Sequence, residues 1–399
     1  MNLLFLTPQL PYPPRQGTAI RNWGLIRHLA RRHTVSLLSF QEAGQPGPAP
    51  ELKAVCARVG CVPAPSRSHA DRLRTLLAGE PDLARRLWSP AFAAELARLL
   101  RSERFDILQI EGLEMAAYGL EGRPAGGRLV YDAHNVEYLL QQRAWRTDLG
   151  RPGRWPAAAY SAIQWPRLRR LEAAVCRAVD AVTCVSAEDG RLLHALAPGR
   201  PPVLVPNGID VDDYAPGDGA PAPDAPPSVV FTGKMDYRPN VDAVLWFMAE
   251  VWPRVRAEAP RARCLIVGQR PTPAVQALGR QAGCAVTGAV EDTRPFIAEA
   301  SVYIAPLRQG GGTRFKLLEA LALGRPVVST TLGAEGFPVT AGRELLIADS
   351  AADFARAVLR LMADQALAQQ VGSAGRAFVR ARYDWRVIVP ALERVYAGA

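Results

Sequence analysis

The sequence predicts an α/β protein of two domains, each a doubly wound sheet of parallel strands covered by helices. Strand and helix patterns alternate almost from end to end, as in parallel βα units. Residues 215–227, APGDGAPAPDAPP, interrupt the alternation with a linker dominated by proline and glycine. A length of 399 residues suits two domains. We expect a first domain over 1–205, a second over 206–383, and a terminal helix over 384–399 that packs back on the first domain.

The first domain opens with a short apolar run and continues as alternating elements. Strands are predicted at residues 3–7, 34–40, 106–110, 128–131, 181–186 and 203–205. Helices are predicted at 18–32, over most of 51–100, at 138–179, and after Ser186, whose spacing from Asp189 is typical of a helix cap. The arginine-rich segment 51–100 has two interpretations: a solvated helical insertion, or a surface that faces a membrane or a bulky acceptor.

The second domain repeats the pattern after the linker. Strands are predicted at residues 228–232 and 264–267 and near residues 286, 303, 328 and 346. Helices are predicted at 240–257 and at 313–323, where Gly324 and then Pro326 form a typical C-terminal stop. The tail at 383–396 has the periodicity of an amphipathic helix, which suits a return to the first domain.

Composition narrows the classes of partner. The net charge is +10, but no basic stripe with interleaved aromatics appears, so we expect no nucleic-acid binding. Anionic substrates would suit this charge, and a weak contact with a membrane surface stays open. No apolar run reaches the ~20 residues that span a bilayer, and the start lacks the basic region of a signal peptide. The six cysteines show no C-x-x-C spacing, which favours structural thiols in a reduced, cytoplasmic protein.

The strongest candidate site begins in a glycine-rich loop before the helix at 313–323. Gly310, Gly311 and Gly312 would let a ligand approach the backbone where the first N–H groups of the helix attract anions. Thr313 and Arg314 follow directly in the sequence. The loop therefore predicts an anion-binding cradle.

The helix after this loop carries Lys316 and Glu319, which are three residues apart and share a face. Cations and a carboxylate acceptor beside an anion cradle are what a nucleotide diphosphate joined to a ribose needs. The alternative is a buried βαβ unit whose Lys316 and Glu319 form a surface ion pair. Of 48 basic residues only Lys53, Lys234 and Lys316 are lysines, and the last two stand beside glycine turns.

Two further candidates lie in the first domain. Gly17 precedes a helix after the first strand, which resembles an anion-binding turn; an ordinary strand-to-helix connection is the alternative. The strand at 128–131 runs into YDAHNVEY, which places His134 beside Asp132, Asn135 and Glu137 at the carboxyl end of a strand. Ligands of open α/β sheets gather there, so we interpret His134 as a site residue rather than a surface histidine.

Several of these motifs together resemble the retaining glycosyltransferases of family four, which have two Rossmann-like domains facing a cleft (the GT-B fold). The resemblance covers nearly the whole chain, and its most specific motif is the last of the following. The motifs are PRQGTA, YDAHNVEY, TCVSAEDGRLL, VPNGID, FTGKMDYRPN and GGGTRFKLLEALALGRPVV. The resemblance implies transfer of a sugar from a nucleotide sugar to a saccharide or lipid-linked acceptor, as in cell-surface polysaccharide biosynthesis.

The resemblance also implies roles for single residues. Glu319 would accept hydrogen bonds from the ribose hydroxyls, and Lys234, after Gly233, would bind the diphosphate with Arg238 as a second cation. Gly17 would approach the phosphate, and His134 would line the pocket near the donor sugar. The nucleotide sugar would be a co-substrate, and no cofactor or metal ion is expected.

One position departs from the family pattern. The family commonly has a glutamate eight positions before the one that matches Glu319, and it contacts the donor sugar; here that position is Gly311. Two other functions therefore remain open. One is a sugar-nucleotide epimerase of the same fold, and the other is a non-catalytic protein that binds a sugar nucleotide. No GxGxxG follows either domain's first strand, which disfavours a dehydrogenase.

Overall fold

The computed structural model of the chain describes two compact units. The described residues are 1–14, 17–150, 152–214, 225–310 and 315–398. The first unit comprises Met1–Asn207 together with Trp385–Ala399, and the second comprises Gly208–Asp384. Each unit is an α/β sheet structure with its own apolar core.

In its described residues the first unit contains one seven-stranded sheet, and all its strand pairs are parallel. The strands are β1 Asn2–Thr7, β2 Thr34–Gln41, β3 Arg58–Pro63, β4 Ile107–Glu111, β5 Arg128–Ala133, β6 Ala181–Cys184 and β7 Val203–Leu204. Their order is β3-β2-β1-β4-β5-β6-β7, so the direction of winding reverses between β1 and β4. Such a reversal is where open α/β sheets bind ligands.

The helices of the first unit connect these strands. In chain order they are α1 Gly17–Leu29, α2 Pro50–Val55, α3 His69–Leu77, α4 Asp82–Arg85, α5 Pro90–Ser102, α6 Ala116–Glu121, α7 Glu137–Leu149, α8 Trp155–Ala178 and α9 Ala187–Leu196. The predicted cap of α9 is confirmed, because the Ser186 side chain accepts a hydrogen bond from the Asp189 N–H at 3.1 Å.

The structure corrects the sequence prediction at two places. Residues 58–63, predicted to be helical, form the edge strand β3, which pairs with β2 from Ser36↔Arg58 to Gln41↔Pro63. Pairing with a neighbouring strand overrides a weak local helical pattern. The single helix predicted over 138–179 is two helices, because α7 ends at Leu149 and α8 starts at Trp155.

The second unit has a six-stranded sheet in its described residues, again with all pairs parallel and in the order β10-β9-β8-β11-β12-β13. The strands are β8 Ser228–Thr232, β9 Arg263–Val267, β10 Cys284–Val286, β11 Val302–Ala305, β12 Val327–Ser329 and β13 Leu346–Ile347. The helices are α10 Arg238–Trp246, α11 Trp252–Glu258, α12 Pro273–Leu278, α13 Arg294–Ala298, α14 Phe315–Ala322, α15 Ala351–Ala363 and α16 Gln365–Arg382. A π-helical turn, Phe247–Val251, joins α10 to α11.

The C-terminal helix α17, Trp385–Ala397, belongs to the first unit. Its apolar face joins the core that contains Leu25 and Ile26 of α1. The Tyr396 hydroxyl donates to Gln109 Oε1 of β4 at 2.9 Å. The predicted fold class, two doubly wound parallel sheets with a C-terminal helix returning to the first, is therefore confirmed.

Burial explains why the strands were recognisable. Residues 3–6 of β1 are fully buried, as expected for a parallel sheet covered on both faces.

The six cysteines all lie within the described residues and are free thiols. Among the helices of the described ranges, none combines the length and apolarity that a membrane crossing requires.

Candidate functional site

Polar side chains collect at the carboxyl ends of β4, β5 and β6 in the first unit. The strand registers Glu111↔Asp132 and Asp132↔Thr183 place these three buried side chains next to one another. Thr183 Oγ1 donates to Asp132 Oδ1 at 2.6 Å. Because a buried carboxylate is costly without a partner, the two acids require cations or other donors nearby.

His134 is one of those partners. Its Nε2 lies 2.8 Å from Glu111 Oε2 and 3.5 Å from Asp132 Oδ2. Burial alone would lower the pKa of His134, but hydrogen bonds to Asp132 and Glu111 raise it to about 10. The imidazole is therefore a cation at neutral pH. Its side chain is 12% exposed whereas both carboxylates are fully buried, so a ligand could reach the histidine of this trio.

Arg21 of α1 neutralises the second carboxylate. Its guanidinium donates to Asp132 through Nε at 2.7 Å and through Nη2 at 2.8 Å. Nη1 donates to the Pro206 carbonyl at 3.0 Å and to Asn207 Oδ1 at 3.2 Å. Burial opposes ionisation of Asp132, but Arg21 beside it holds the pKa of that carboxyl well below its usual range. In contrast, burial and the neighbouring Asp132 raise the pKa of Glu111.

The same contacts hold the start of α1 over the sheet. With its amide in the hydrogen-bonding orientation, Asn22 donates to Glu111 Oε2 at 2.7 Å and to the Thr18 carbonyl at 3.2 Å. Gly17, a predicted phosphate-contacting residue, is exposed and is the first residue of α1, one helical turn before Arg21. The structure therefore places Gly17 on the helix that is anchored to the Glu111–Asp132–His134 cluster.

This cluster also has the composition of a metal site. Glu111, Asp132 and His134 offer three ligand atoms within 4.8 Å of one another. However, both oxygens of Asp132 already accept hydrogen bonds from Arg21, whose charge would repel a divalent cation. We therefore interpret the cluster as a buried ion network that fixes His134 in its charged form.

Several residues of the second unit that are predicted to bind the nucleotide sugar lie at the turn after β8. Gly233 has a φ of 153°, and its N–H donates to the Val267 carbonyl at 3.0 Å. The neighbouring turn packs closely, because a Cβ on Gly268 would lie 1.7 Å from the Gly233 carbonyl oxygen. Lys234 is exposed and lies 3.7 Å from Asp236, and Arg238 is exposed at the first position of α10.

Lys316 reaches the Gly233 turn from α14. Its Nζ donates to Asn240 Oδ1 at 2.5 Å and lies 4.4 Å from the centre of the Phe231 ring. A Cβ on Gly233 would lie 3.0 Å from this ammonium group, so the glycine leaves room for it. Asn240 Nδ2 in turn donates to the Lys234 carbonyl at 2.9 Å. Three of the predicted residues, Gly233, Lys234 and Lys316, therefore share one small region.

Glu319 lies one helical turn after Lys316 and is half-buried. Its Oε1 accepts a hydrogen bond from the Tyr214 hydroxyl at 3.1 Å. Burial raises the pKa of Glu319, while Tyr214 and Lys316 oppose that effect. Burial and Glu319 raise the pKa of Tyr214 above its ordinary value, so the phenol remains a hydrogen-bond donor. The buried neighbours Leu317, Leu318 and Leu321 anchor α14 in the core.

The glycine loop before α14 is described only at its start. Gly310 is exposed with a φ of 109°, a backbone conformation that glycine adopts readily. The predicted residues Gly311, Gly312, Thr313 and Arg314 lie outside the described residues. The predicted helix stop is confirmed, because α14 ends at Ala322 and Gly324 has a φ of 68°.

The sequence motifs did not reveal several residues that hold the cluster around His134 or the side chains of Lys316 and Glu319. Arg21 and Thr183 hold Asp132, and Asn240 and Tyr214 hold the Lys316 and Glu319 side chains. A signal existed for Asn240, which stands in the same FTGKMDYRPN motif as Lys234. Tyr214 lies in a short turn just before the linker, where composition gives no indication of a partner.

Two family descriptions match the chain and together cover most of it. Residues 15–213 match "Glycosyltransferase Family 4", and residues 226–364 match "Glycosyl transferases group 1". The first match lies almost entirely in the first unit, and the second lies within the second unit.

Curated relatives support the same family. Phosphatidyl-myo-inositol mannosyltransferase of Mycobacterium tuberculosis (strain H37Rv) is 32% identical over 211 residues, which are 50% of this chain and 54% of that protein. The Mycolicibacterium smegmatis protein of the same name is 34% identical over 213 residues, covering 50% and 52%. The chain thus spans about half the length of the curated relatives it matches.

Solved structures with the same fold cover the whole chain. Sucrose-phosphate synthase from Thermosynechococcus elongatus superposes with a TM-score of 0.71 at 18% identity, covering 100% of this chain and 99% of that one. HepE of Anabaena, in complex with UDP and glucose, gives a TM-score of 0.67 at 13% identity, with 100% of both chains covered. At these identities the likeness concerns the fold. With the two family matches, it leads to one conclusion: the chain belongs to the group 1 glycosyltransferases of family 4.

Proposed function

We propose that the protein is a retaining, metal-independent hexosyltransferase that moves a sugar from a nucleotide-diphosphate sugar to a saccharide or lipid-linked acceptor. The observation that carries this proposal is the group around Gly233: Lys316 Nζ donates to Asn240, Asn240 donates to the Lys234 carbonyl, and Glu319 follows Lys316 on α14. A diphosphate requires cations at short range, and a ribose requires an acceptor for its hydroxyl protons.

We assign each side chain of this group a role in that reaction. Lys316 and Lys234 would stabilise the negative charge that develops on the diphosphate as it leaves, with Arg238 as a further cation. Glu319 would accept hydrogen bonds from the ribose hydroxyls, while Tyr214 keeps its carboxylate oriented. The backbone around Gly233 and Gly310 would allow close approach of the phosphates.

The reaction would break the bond from the sugar's anomeric carbon to the phosphate oxygen and form a bond to the acceptor oxygen on the same face. The acceptor's proton would pass to the departing phosphate oxygen, which becomes more basic as the bond breaks. His134 would act near the donor sugar as a charged hydrogen-bond donor, because two carboxylates hold its proton. None of these steps uses a metal ion or a cofactor.

The similar proteins suggest which substrates to test first. The curated relatives include mannosyltransferases of phosphatidyl-myo-inositol and a GDP-mannose-dependent enzyme, and HepE was crystallised with UDP-glucose. GDP-mannose and UDP-glucose are therefore the first donors, and inositol phospholipids and saccharides the first acceptors. We further propose that the protein works in the cytoplasm and peripherally at the inner face of the membrane.

Calorimetry with GDP-mannose, UDP-glucose, dTDP-glucose and ADP-glucose tests donor binding. We expect one donor to bind, and Lys316→Ala and Lys234→Ala each to weaken its binding at least tenfold, or about 1.4 kcal/mol. Lys53→Ala is the matched control, because Lys53 is an exposed lysine on α2.

Substitutions of a cation and of the carboxylate in this group test turnover once a donor is known. We expect Lys234→Ala and Glu319→Ala each to lower turnover at least tenfold. Near-normal turnover in both would overturn the assigned roles. Donor conversion without any acceptor would identify an epimerase instead, and binding without release of nucleoside diphosphate would identify a non-catalytic binding protein.

A further inference from the structure

Two cysteines lie directly opposite each other on neighbouring strands of the second unit. Cys264 is the second residue of β9, Cys284 is the first residue of β10, and the strand register pairs them. Paired residues of parallel strands project their side chains from the same face of the sheet, and neighbouring strands are about 4.8 Å apart. A disulfide requires Cα atoms roughly 4.4–6.8 Å apart, so the backbone already meets this requirement.

The two thiols are also in contact with each other. The thiol of Cys264 donates a hydrogen bond to the sulfur of Cys284, and this bond together with burial raises the pKa of Cys264. The same hydrogen bond lowers the pKa of Cys284, although burial opposes the effect. Because the thiolate is the reactive form of cysteine, Cys284 is the better nucleophile of the pair.

Solvent reaches one member of the pair and not the other. Cys264 is only 1% exposed. In contrast, Cys284 is half-buried and lines an open surface cavity of about 600 Å³ together with Arg280 and Thr287. A small oxidant can therefore reach Cys284, while Cys264 lies behind it. An accessible thiol with a second thiol next to it is the arrangement typical of redox-active cysteines.

The first unit contains a cysteine in a matching position but without a partner thiol in its register. Cys61 is also half-buried and also lies on an edge strand, β3, but the residue opposite it on β2 is Ser39. Burial raises the pKa of Cys61, so its thiol is less reactive than that of Cys284. All six cysteines are among the described residues, and only the pair on β9 and β10 shares a strand register.

We propose that Cys264 and Cys284 form a redox-active dithiol, which a hydroperoxide converts into an intramolecular disulfide. This modification site goes beyond the proposed function and uses no residue of the donor site. The disulfide would join the edge strand β10 to β9 and close the segment of chain that contains α12.

With hydrogen peroxide the reaction has two steps. The Cys284 thiolate attacks one peroxide oxygen, the O–O bond breaks, and the products are a sulfenic acid on Cys284 and a hydroxide that takes up a proton to become water. The sulfur of Cys264 then attacks the sulfenic sulfur, the S–S bond forms, and the hydroxyl group leaves with the proton of Cys264 as a second water. The two thiols lose two electrons, and the peroxide gains them.

Peptide mapping of the full chain after oxidation tests the proposal. The protein is reduced, freed of reductant and treated with an equimolar amount of hydrogen peroxide, and the remaining thiols are blocked with iodoacetamide before digestion. Trypsin cleaves after Arg280, between the two cysteines, so their disulfide appears as a pair of linked peptides. We expect this linked pair, together with the loss of two of the six thiols when the unfolded chain is titrated.

Three serine variants separate the roles of the thiols. Cys284→Ser should slow the loss of thiols about tenfold, because the thiol that remains in the pair is buried. Cys264→Ser should still react but stop at a sulfenic acid on Cys284, which dimedone traps, because the second thiol is missing. Cys61→Ser is the matched control and should leave both the rate and the linked peptides unchanged. Circular dichroism checks that each variant is folded.

Three results would overturn the dithiol proposal. They are absence of the linked peptides from the oxidised wild type, an unchanged rate of thiol loss in Cys284→Ser, and a disulfide between two chains, seen as a dimer on a non-reducing gel. The wild-type result does not depend on the folding of any variant. Nucleotide binding is measured separately on the reduced protein, and its absence would count against the proposed function alone.

Discussion

The charge on His134 is set by its neighbours rather than by its exposure to solvent. Glu111 and Asp132 both lie within hydrogen-bonding or ion-pairing range of its Nε2, and Arg21 keeps Asp132 ionised. A histidine held in this way is poorly suited to be a general base at neutral pH, because its proton is stabilised. It is suited to donate a hydrogen bond to an electronegative group of a ligand.

This charge state predicts a dependence of stability on pH. The pKa of His134 is about 10 in the folded protein against an ordinary value of 6.5. Because the folded pKa is raised, the stabilisation is complete below pH 6.5 and is lost as the pH rises through about 10. We expect the free energy of unfolding, measured with urea at a series of pH values, to fall over this range by an amount on the order of a few kcal/mol.

The matched variant is His134→Gln, which keeps a neutral donor but cannot carry the charge. Other groups also titrate in this range, so the informative quantity is the difference between wild type and variant. That difference should be largest below pH 6.5 and fall as the pH rises through about 10. A difference that is constant with pH would mean that His134 is neutral in the folded protein.

The site could be predicted only in part, because the residues that the motifs did not reveal are distant in sequence from the side chains they contact. Asp132 and its partner Arg21 are separated by 111 positions, and Glu319 and Tyr214 by 105. Motif reading found His134, Lys234, Lys316 and Glu319 because each stands beside a glycine turn or a strand end. It had no means of finding residues that contact them only through the folded topology.

Among the elements, α1 and α17 meet at a contact that leaves no room for a side chain. A Cβ on Gly24 of α1 would lie 2.1 Å from the ring of Trp385. Gly24 is therefore required for packing, although glycine in a helix costs about 1 kcal/mol relative to alanine. The tryptophan takes the space that a side chain would fill.

We therefore predict that Gly24→Ala destabilises the protein by about 1–3 kcal/mol despite its better helix propensity. Urea unfolding of the purified variant measures this. Gly153→Ala is the control, because a new methyl group there meets no atom within 4 Å. Stabilisation by Gly24→Ala would show that the helices separate easily and that the contact contributes little.

The edge strand β3 shows where element prediction fails. Its sequence, RVGCVP, is six residues long and stands between helical segments, and it contains a glycine and a proline that weaken a strand pattern. A proline is tolerated at the end of an edge strand, so the fold accepts it here. The central strand β1 was found because its residues 3–6 are apolar and buried on both faces of the sheet.

At the scale of the whole molecule, the second unit is an insertion in the first. The chain leaves the first unit after Asn207 and returns to it at Trp385. The second unit is therefore one continuous segment, whereas the first needs two separate segments to complete its core.

This organisation predicts opposite outcomes for two fragments. Removal of residues 385–399 should destabilise the first unit by several kcal/mol, because it exposes the apolar face of α1 that α17 covers. A fragment of residues 208–384 should unfold cooperatively by itself. Thermal unfolding followed by circular dichroism measures both, and Val387→Gln should leave the first unit intact. An unaffected truncated chain would contradict the role given to α17.

The insertion also fixes the order in which the nascent chain can complete its units on the ribosome. The seven strands of the first sheet are synthesised before the second unit, but the helix that covers α1 emerges only after all of it. During that interval Leu25 and Ile26 lack their partners from α17, while the second unit already has its full sequence. A chain that stalls or is cleaved in this interval would therefore carry an exposed apolar face, a ready target for chaperones and proteases.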